Sequence, residues 1–496
     1  MILYAPPMTE AFRPQARAPK GFIDKRSGDL AAERRIVDAV SAVYERYGFE
    51  PLATGGFEYA DALGKFLPDA DRPNEGVFAL QDDDEQWMAL RYDLTAPLAR
   101  FVAENWETLP KPYRRYAVGS VWRNEKPGPG RYREFIQCDA DTVGSARPEA
   151  DAEMIAMMVE GLEAAGLERG QAVIKINNRK LLNGLLTSAG AVDVRQRLVV
   201  LRAVDKLDRL GPEGVALLLG PGRKDESGDF TKGAGLNATA AERVLAFVAA
   251  GAGARPETLD RLANIIGGSA EGDEGLAELS RVHHALTSLG VEETRATFDP
   301  SIVRGLEYYT GTVFEADLLL ETIDERGKPV RFGSLGGGGR YDDLVARFTG
   351  QSVPATGCSF GVSRLAAALK AANRAEAFIA RGPVVIIAFD AEGMADYFAM
   401  AAELRAAGVA AEVYLGQSGM KAQMRYADRR LSPAAVIVGG DERAADQVTI
   451  KDLDLGRELA AGVTDNQSWR GERPGQVTVR RDELVATVQR ILGAAR

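Results

Sequence analysis

Residues 111–138 read KPYRRYAVGSVWRNEKPGPGRYREFIQC. Tyr116 to Trp122 reads as a strand, Lys126-Pro127-Gly128-Pro129-Gly130 as a turn, and Tyr132 to Cys138 as a second strand. The unit is therefore a long antiparallel hairpin with a basic, glycine-rich tip. Between Lys111 and Arg133, the seven cations Lys111, Arg114, Arg115, Arg123, Lys126, Arg131 and Arg133 stand against one acid, Glu125, a local charge of +6 in a chain whose net charge is −10. An isolated charge run is most often a solvated face. Dense arginine with interleaved aromatics points instead to an anionic ligand.

Composition narrows the chemistry. At about 150 residues per domain, a chain of 496 residues suggests roughly three domains. Lys plus Arg is 61 and Asp plus Glu is 71, which argues against a simple nucleic-acid coat. The two cysteines, Cys138 and Cys358, exclude a disulfide framework and a Cys-rich zinc site. The two histidines, His283 and His284, are adjacent, which counts strongly against Ser-His-Asp hydrolases and His-ligated zinc hydrolases. Neighbouring helical residues face different ways, so this pair reads as one packed and one exposed side chain, with no metal role. Met1 to Phe12 carries no basic n-region and no long apolar core, and no apolar run approaches the roughly 18 residues of a membrane span. A cytoplasmic protein with no membrane partner is expected.

Outward from the hairpin, Leu30 to Tyr47 reads as an amphipathic helix, with Ile36, Val37, Val40, Val43, Tyr44 and Tyr47 on one stripe, Asp29 as N-cap and Gly48 as stop. Trp87 to Tyr92 reads as a strand that delivers Asp93 and Thr95 to its end. Residues 185–295 turn Ala-, Leu- and Gly-rich and read as a helical insertion. Arg304 to Ala316 returns to strand. In Gly333 to Arg340 (GSLGGGGR), no Lys-Ser/Thr follows at the spacing of a phosphate loop, so a glycine-rich strand that admits a flat ligand or another backbone is the better reading. Ala355 to Leu365 reads as a strand turning into a helix, with Arg364 on its first turns. An Ala-rich helix near Leu365 to Ala380 ends at Arg381-Gly382-Pro383, a domain boundary. Beyond it the pattern is β-α-β-α-β: Val384 to Phe389, a helix through Leu404, Ala411 to Leu415, a helix over Met420 to Arg429, and Val436 to Val438.

Three separated segments resemble the three signature motifs of class II aminoacyl-tRNA synthetases. A fourth, Arg304-Gly305-Leu306-Glu307-Tyr308-Tyr309-Thr310-Gly311, resembles the signature peptide of histidyl-tRNA synthetases. The resemblance runs from Lys20-Gly21-Phe22 to the C-terminal unit. It implies an α/β chain: an α+β catalytic domain with an antiparallel sheet flanked by helices in 1–184 and 296–381, the helical insertion in 185–295, and an anticodon-binding α/β domain in 382–496. The implied activity is ligation of histidine to tRNA-His through an enzyme-bound histidyl-adenylate. The alternative is a catalytically silent, histidine-binding paralogue that regulates a partner enzyme.

The resemblance also implies site roles. Arg123 matches the arginine that clamps the α-phosphate and the amino-acid carboxylate, and Arg304 a second, family-specific arginine on the same phosphate. A planar, permanently charged fork suits two-oxygen recognition better than lysine does. Glu125 and Phe135 match positions that hold and stack adenine, Arg131 and Arg133 positions near the outer phosphates, and Arg364 the arginine near the γ-phosphate. Asp93, Thr95 and Gln137 match groups that receive the α-amino group. Asp141 and Tyr309 match those that read the imidazole nitrogens, with Tyr308 beside them. Lys421, Arg425, Arg429 and Arg430 give the C-terminal helix a basic face suited to tRNA phosphates. ATP is the co-substrate, Mg²⁺ is expected with it, with Glu125 or other acids helping to hold it and the ligand set left open, and a homodimer is expected. Departures are a Gly55 where the first motif normally has proline, and Arg91-Tyr92-Asp93-Leu94-Thr95 and Gln137-Cys138-Asp139, which resemble the eukaryotic branch.

Overall fold

The hairpin strands run from Tyr113 to Trp122 and from Glu134 to Val143. The first begins earlier than the sequence pattern suggests, and the second begins and ends later. Charges disguise the extra length: Arg115 stands opposite Asp141 in the register, an opposite-charge cross-strand pair. Arg131 to Arg133 stays in the loop, where Gly128 and Arg131 exchange backbone hydrogen bonds and the Arg123 amide donates to the Arg133 carbonyl at 2.9 Å.

The computed structural model describes residues 15–63, 76–128, 130–191, 193–224, 228–251, 253–266, 268–303, 309–323, 327–330, 332–372, 381–460 and 475–494. The chain divides into two compact units, residues 1–377 and 378–496. In the first, the strands are β1 (Glu50–Pro51), β2 (Phe57–Tyr59), β3 (Ala79–Gln81), β4 (Trp87–Leu90), β5 (Tyr113–Trp122), β6 (Glu134–Val143), β7 (Ala172–Asn178), β8 (Gly222–Lys224), β9 (Phe230–Lys232), β10 (Ala296–Phe298), β11 (Thr312–Leu318), β12 (Ser334–Arg340) and β13 (Ala355–Gly361). Eight of them form one sheet in the order β1-β5-β6-β13-β12-β11-β7-β10. Its pairs are antiparallel except β1 with β5 and β7 with β10. Strands β2, β4 and β3 make a separate small sheet, and β8 with β9 a hairpin.

The helix expected over 30–47 spans Ser27 to Arg46. Ile36, Val40, Val43 and Tyr44 are fully buried, as the periodicity requires. Asp29 is not the N-cap. Arg26 holds that place, so Asp29 sits in the first turn, where its charge complements the helix dipole. The helices Pro148–Ala164 and Val362–Ala371 pack on the sheet with it. The helix expected to run on to 380 is seen to Ala371, and 373–380 lie outside the described residues. Between β7 and β10 come helices at Arg179–Ser188, Val194–Val204, Leu207–Leu219, Ala238–Ala249, Arg255–Ile266 and Ala270–Ser288. His283 is half-buried and His284 exposed on the last of these.

The glycine run does close-packing work in β12. A Cβ at Gly338 would press on the Gly357 carbonyl oxygen of β13 and come within 2.6 Å of the Phe314 ring. Backbone cannot move aside cheaply, so Gly338→Ala is expected to destabilise the unit by about 1–3 kcal/mol. Thermal unfolding checks this: a midpoint equal to that of the unchanged chain would show that the strands are not so tightly apposed.

The second unit holds β14 (Val384–Ile387), β15 (Ala411–Val413), β16 (Ala434–Ile437), β17 (Gln447–Asp452) and β18 (Gln476–Arg480) in the order β15-β14-β16-β17-β18. The first three are mutually parallel and the last two antiparallel, so the sheet is mixed. Val384, Ile386 and Val436 pack with Tyr397, Leu404 and Val488 on one side. Val385, Ile387 and Ala435 pack with Ala427 and Leu453 on the other. A sheet covered on both faces explains the unbroken apolar run that begins this unit. Among the described residues, no helix is long and apolar enough to cross a membrane.

Candidate active site

Side chains alternate along β6. Cys138 and Ala140 face the helices, where the Tyr44 hydroxyl donates to the Cys138 carbonyl at 3.1 Å. Gln137, Asp139 and Asp141 share the opposite face, and a cavity of about 400 Å³ opens there. Gly336, Gly337 and Gly338 of β12 line it. Glycines elsewhere in β5, β13 and β12 make room for larger side chains: a Cβ at Gly119 would strike the Arg91 guanidinium, one at Gly357 the Asp141 carboxylate, and one at Gly339 would lie 2.9 Å from the Tyr309 ring.

The end of the cavity beneath the hairpin tip is built around Arg123. Its guanidinium lies over the Tyr92 ring at 4.4 Å and the Phe135 ring at 5.1 Å, and its Nε donates to the Tyr92 carbonyl at 3.2 Å. Aromatic faces hold a cation without neutralising it. Glu125 accepts from the Tyr92 hydroxyl at 2.7 Å and pairs with Arg131. Burial works to raise the Glu125 pKa, but Tyr92, Arg131 and Arg123 outweigh it, and the carboxyl lies below its ordinary value. Arg364 also lines the cavity, with Nη1 donating to the Ser334 carbonyl at 2.7 Å. Arg133 does not line it: its Nε donates to the Glu125 carbonyl, and its stem packs beside Gly21.

The other end is acidic. Asp93 Oδ1 accepts from the amides of Thr95 and Ala96 at 3.1 and 2.9 Å, at the start of the helix Thr95–Asn105, which fixes the carboxylate and Thr95 on the wall. Burial raises the Asp93 pKa against these amides and Arg123. Gln137 Nε2 donates to Ser359 Oγ at 2.7 Å. Tyr309 lines the cavity beside Phe314.

Asp141 requires a correction. It does not line the cavity but lies deeper on the same face of β6, where Arg115 Nη2 meets Oδ2 at 2.8 Å and the Tyr341 hydroxyl binds Oδ1. This carboxylate is engaged within the fold, by the phenol at one oxygen and by the charge of a buried cation at the other. Asp139, two residues earlier, is the β6 carboxylate on the wall. Sequence reasoning passed over Asp139, Ser359, Arg115 and Tyr341. The period of two along β6 was the available signal for Asp139; the others come from distant segments. Arg304 and Tyr308 lie outside the described residues.

In the second unit, Lys421, Arg425, Arg429 and Arg430 are all exposed at the helix Met420–Arg429 or its end. They are not equivalent. Arg430 is held by Glu412 through bonds of 3.1 and 3.0 Å, which satisfies its charge within the unit. Lys421, Arg425 and Arg429 recur every fourth residue along one stripe. As for metals, no three His, Cys, Asp or Glu side chains converge among the described residues.

Comparisons with known proteins give the family. A family model described as "Histidyl-tRNA synthetase" matches residues 21–365, and one described as "Anticodon binding domain" matches residues 383–491. The chain is 73% identical over 483 residues to a histidine–tRNA ligase of Caulobacter vibrioides, covering 97% of this chain and 98% of that protein. It is 56% identical over 490 residues to that of Brucella suis, covering 98% and 97%. The crystal structure of a histidyl-tRNA synthetase from Nostoc matches with a TM-score of 0.72 at 29% identity, over 96% of this chain and 100% of that one.

Proposed function

The chain belongs to the histidyl-tRNA synthetase family, and we propose that it ligates histidine to tRNA-His in two steps at the cavity of the first unit. In the first step a carboxylate oxygen of histidine attacks the α-phosphorus of ATP. The bond to the oxygen bridging the α- and β-phosphates breaks, and pyrophosphate leaves with histidyl-adenylate behind. In the second, a terminal ribose hydroxyl of tRNA attacks the histidyl carbonyl and AMP departs.

The first step needs no proton transfer and no protein nucleophile, which suits a chain with two histidines, neither in the cavity. It does need two anions held in line while charge spreads over the phosphate oxygens. The single observation that carries the reading is Arg123, a cation positioned by two aromatic rings and a carbonyl instead of a carboxylate, so that its charge remains available. It bridges the α-phosphate and the histidine carboxylate, with Arg304 as its partner. Phe135 and Glu125 receive adenine, and Arg131 and Arg364 the outer phosphates. Asp93, Thr95 and Gln137 receive the α-amino group, and Tyr309 with Tyr308 the imidazole.

Mg²⁺ arrives as the ion of the nucleotide and supplies neutralisation of its phosphates. The described residues offer no ready protein cage for it: Glu125 is already engaged by Tyr92 and Arg131. Residues 1–184 and 296–381 act as the catalytic domain, 185–295 as an insertion, and 382–496 as the anticodon-binding domain, with Lys421, Arg425 and Arg429 toward tRNA phosphates. A homodimer is supported by the small sheet, which exposes Phe57 (45%), Tyr59 (56%) and Leu80 (44%) on one face. The cytoplasm, where tRNA is charged, is the proposed setting. A regulatory paralogue without ligase activity is set aside, since the anticodon-binding match and the positioned Arg123 both favour the ligase.

Histidine-dependent exchange of pyrophosphate into ATP tests the first step. Exchange with histidine and none with the other amino acids is expected; a folded sample without exchange would overturn the reading.

A further inference from the structure

Two buried oxygens at the acidic end of the cavity have no hydrogen-bond donor, Gln137 Oε1 and Asp139 Oδ1. Their residues are 7% and 1% exposed and stand two apart on β6, so they point the same way. Ser359 of β13 joins them: its Oγ accepts from Gln137 Nε2 at 2.7 Å, and its hydroxyl hydrogen bonds to the Asp139 carboxylate. Each residue thus keeps one open acceptor. A buried acceptor left unmet is costly, so a donor belongs there when the cavity is filled.

The charge balance asks for the same thing. Asp93, Asp139 and Asp141 act on one another, while Arg115 is the fully buried cation among them and is bonded to Asp141. The groups acting on Asp139 from its own side of the sheet are Asp141 from β6, Arg115 from β5, Ser359 from β13, and Asp93 and Arg91 from the segment after β4, while Cys138, Cys358 and Tyr44 lie on the helix side. Burial and Asp141 push the Asp139 carboxyl up to about 7, against the pull of Arg115 and Ser359, with Asp93 adding to the rise. A further positive charge would relieve this crowding, and an α-ammonium carries both the charge and several N–H donors.

We propose that Asp139 is a further substrate-contacting residue, accepting together with Gln137 from the α-ammonium of bound histidine. The inference rests on the reading of this cavity as a histidine site and adds a carboxylate to it. Binding of the ammonium stabilises the ionised carboxylate, so a proton leaves Asp139 as histidine enters.

The test is calorimetric titration of the full chain with histidine, with histidinol, which keeps the ammonium but lacks the carboxylate, and with imidazolepropionate, which lacks the amino group. In Asp139→Asn, affinity for histidine and histidinol is expected to fall about 10–100-fold, while imidazolepropionate binds as before. Near pH 7 the binding enthalpy of histidine in the unchanged chain should vary with the ionisation heat of the buffer, and this part should vanish in Asp139→Asn. Unchanged histidine affinity in the variant would overturn the proposal, and so would an equal loss for imidazolepropionate, which places Asp139 at the ring or in the scaffold. Should Asp139→Asn fail to fold, the same three ligands titrated into Ser359→Ala decide, with a smaller loss expected in the same pattern. Failure of the histidine reading itself is distinct: the unchanged chain would then bind no histidine.

Discussion

Replacing Arg123 with alanine is expected to slow histidyl-adenylate formation by about 10²–10³-fold, the scale of removing one preorganised charge from a developing oxyanion. The loss should fall mainly on kcat, because the guanidinium is proposed to act most strongly as negative charge gathers on the α-phosphate. Folding should be little affected: the side chain is half-buried, sits over two rings and has no carboxylate partner within its ion-pairing reach among the described residues. Arg123→Lys should recover part of the rate at most, since an ammonium cannot present two parallel N–H groups or spread over both aromatic faces. Pyrophosphate exchange in the two variants, set beside their unfolding midpoints, checks this. Near-normal exchange in Arg123→Ala would remove the residue from the reaction.

Arg115→Met is expected to have its large effect on stability, destabilising the first unit by about 3–5 kcal/mol. Arg115 is fully buried, meets Asp141 at 2.8 Å and donates to the Leu94 carbonyl at 2.9 Å. Burial pulls its pKa down, but Asp141 and Asp139 outweigh that and raise it. Methionine fills the space of the stem yet leaves Asp141 with an uncompensated buried charge. The pH dependence has a definite sign. Burial already raises the Asp141 pKa above the ordinary carboxylate value, and loss of Arg115 raises it further. The folded chain then binds a proton that the unfolded chain does not, so stability falls as pH rises through that window. The deficit in unfolding midpoint should be largest at pH 8 and smaller at pH 5. Adding Asp141→Asn should restore part of it, because the two residues are directly coupled. A midpoint unchanged by Arg115→Met would show that the pair carries no structural weight.

Much of the site was legible because it is local in sequence. A strand, a turn and a strand between 113 and 143 place Arg123, Glu125, Phe135 and Gln137 on one hairpin, and the period of two decides which of them share a face. Asp93 and Thr95 likewise follow from a strand that ends and a helix that begins. Periodicity alone does not separate Asp139 from Asp141. Asp139 and Asp141 lie on one face of β6, and nothing within the strand says which meets the cavity and which meets Arg115. That is decided by β5, which places Arg115 opposite Asp141, and by Tyr341 at the end of β12.

The sequence by itself determined the hairpin, because that depends on residue types at short spacing, and its motifs carry the resemblance that implies the family, the fold and the adenylating chemistry. By count alone it also excluded a disulfide framework and a Cys-rich zinc site. The tertiary structure decided which charges are spent and which are free. Arg115, Arg123 and Arg430 are identical in sequence terms, yet one is committed to a buried aspartate, one is held between rings with its charge open, and one is paired with Glu412. The physical reason is that a charge acquires its meaning from the groups within a few ångströms, and those groups arrive from strands and helices far away along the chain.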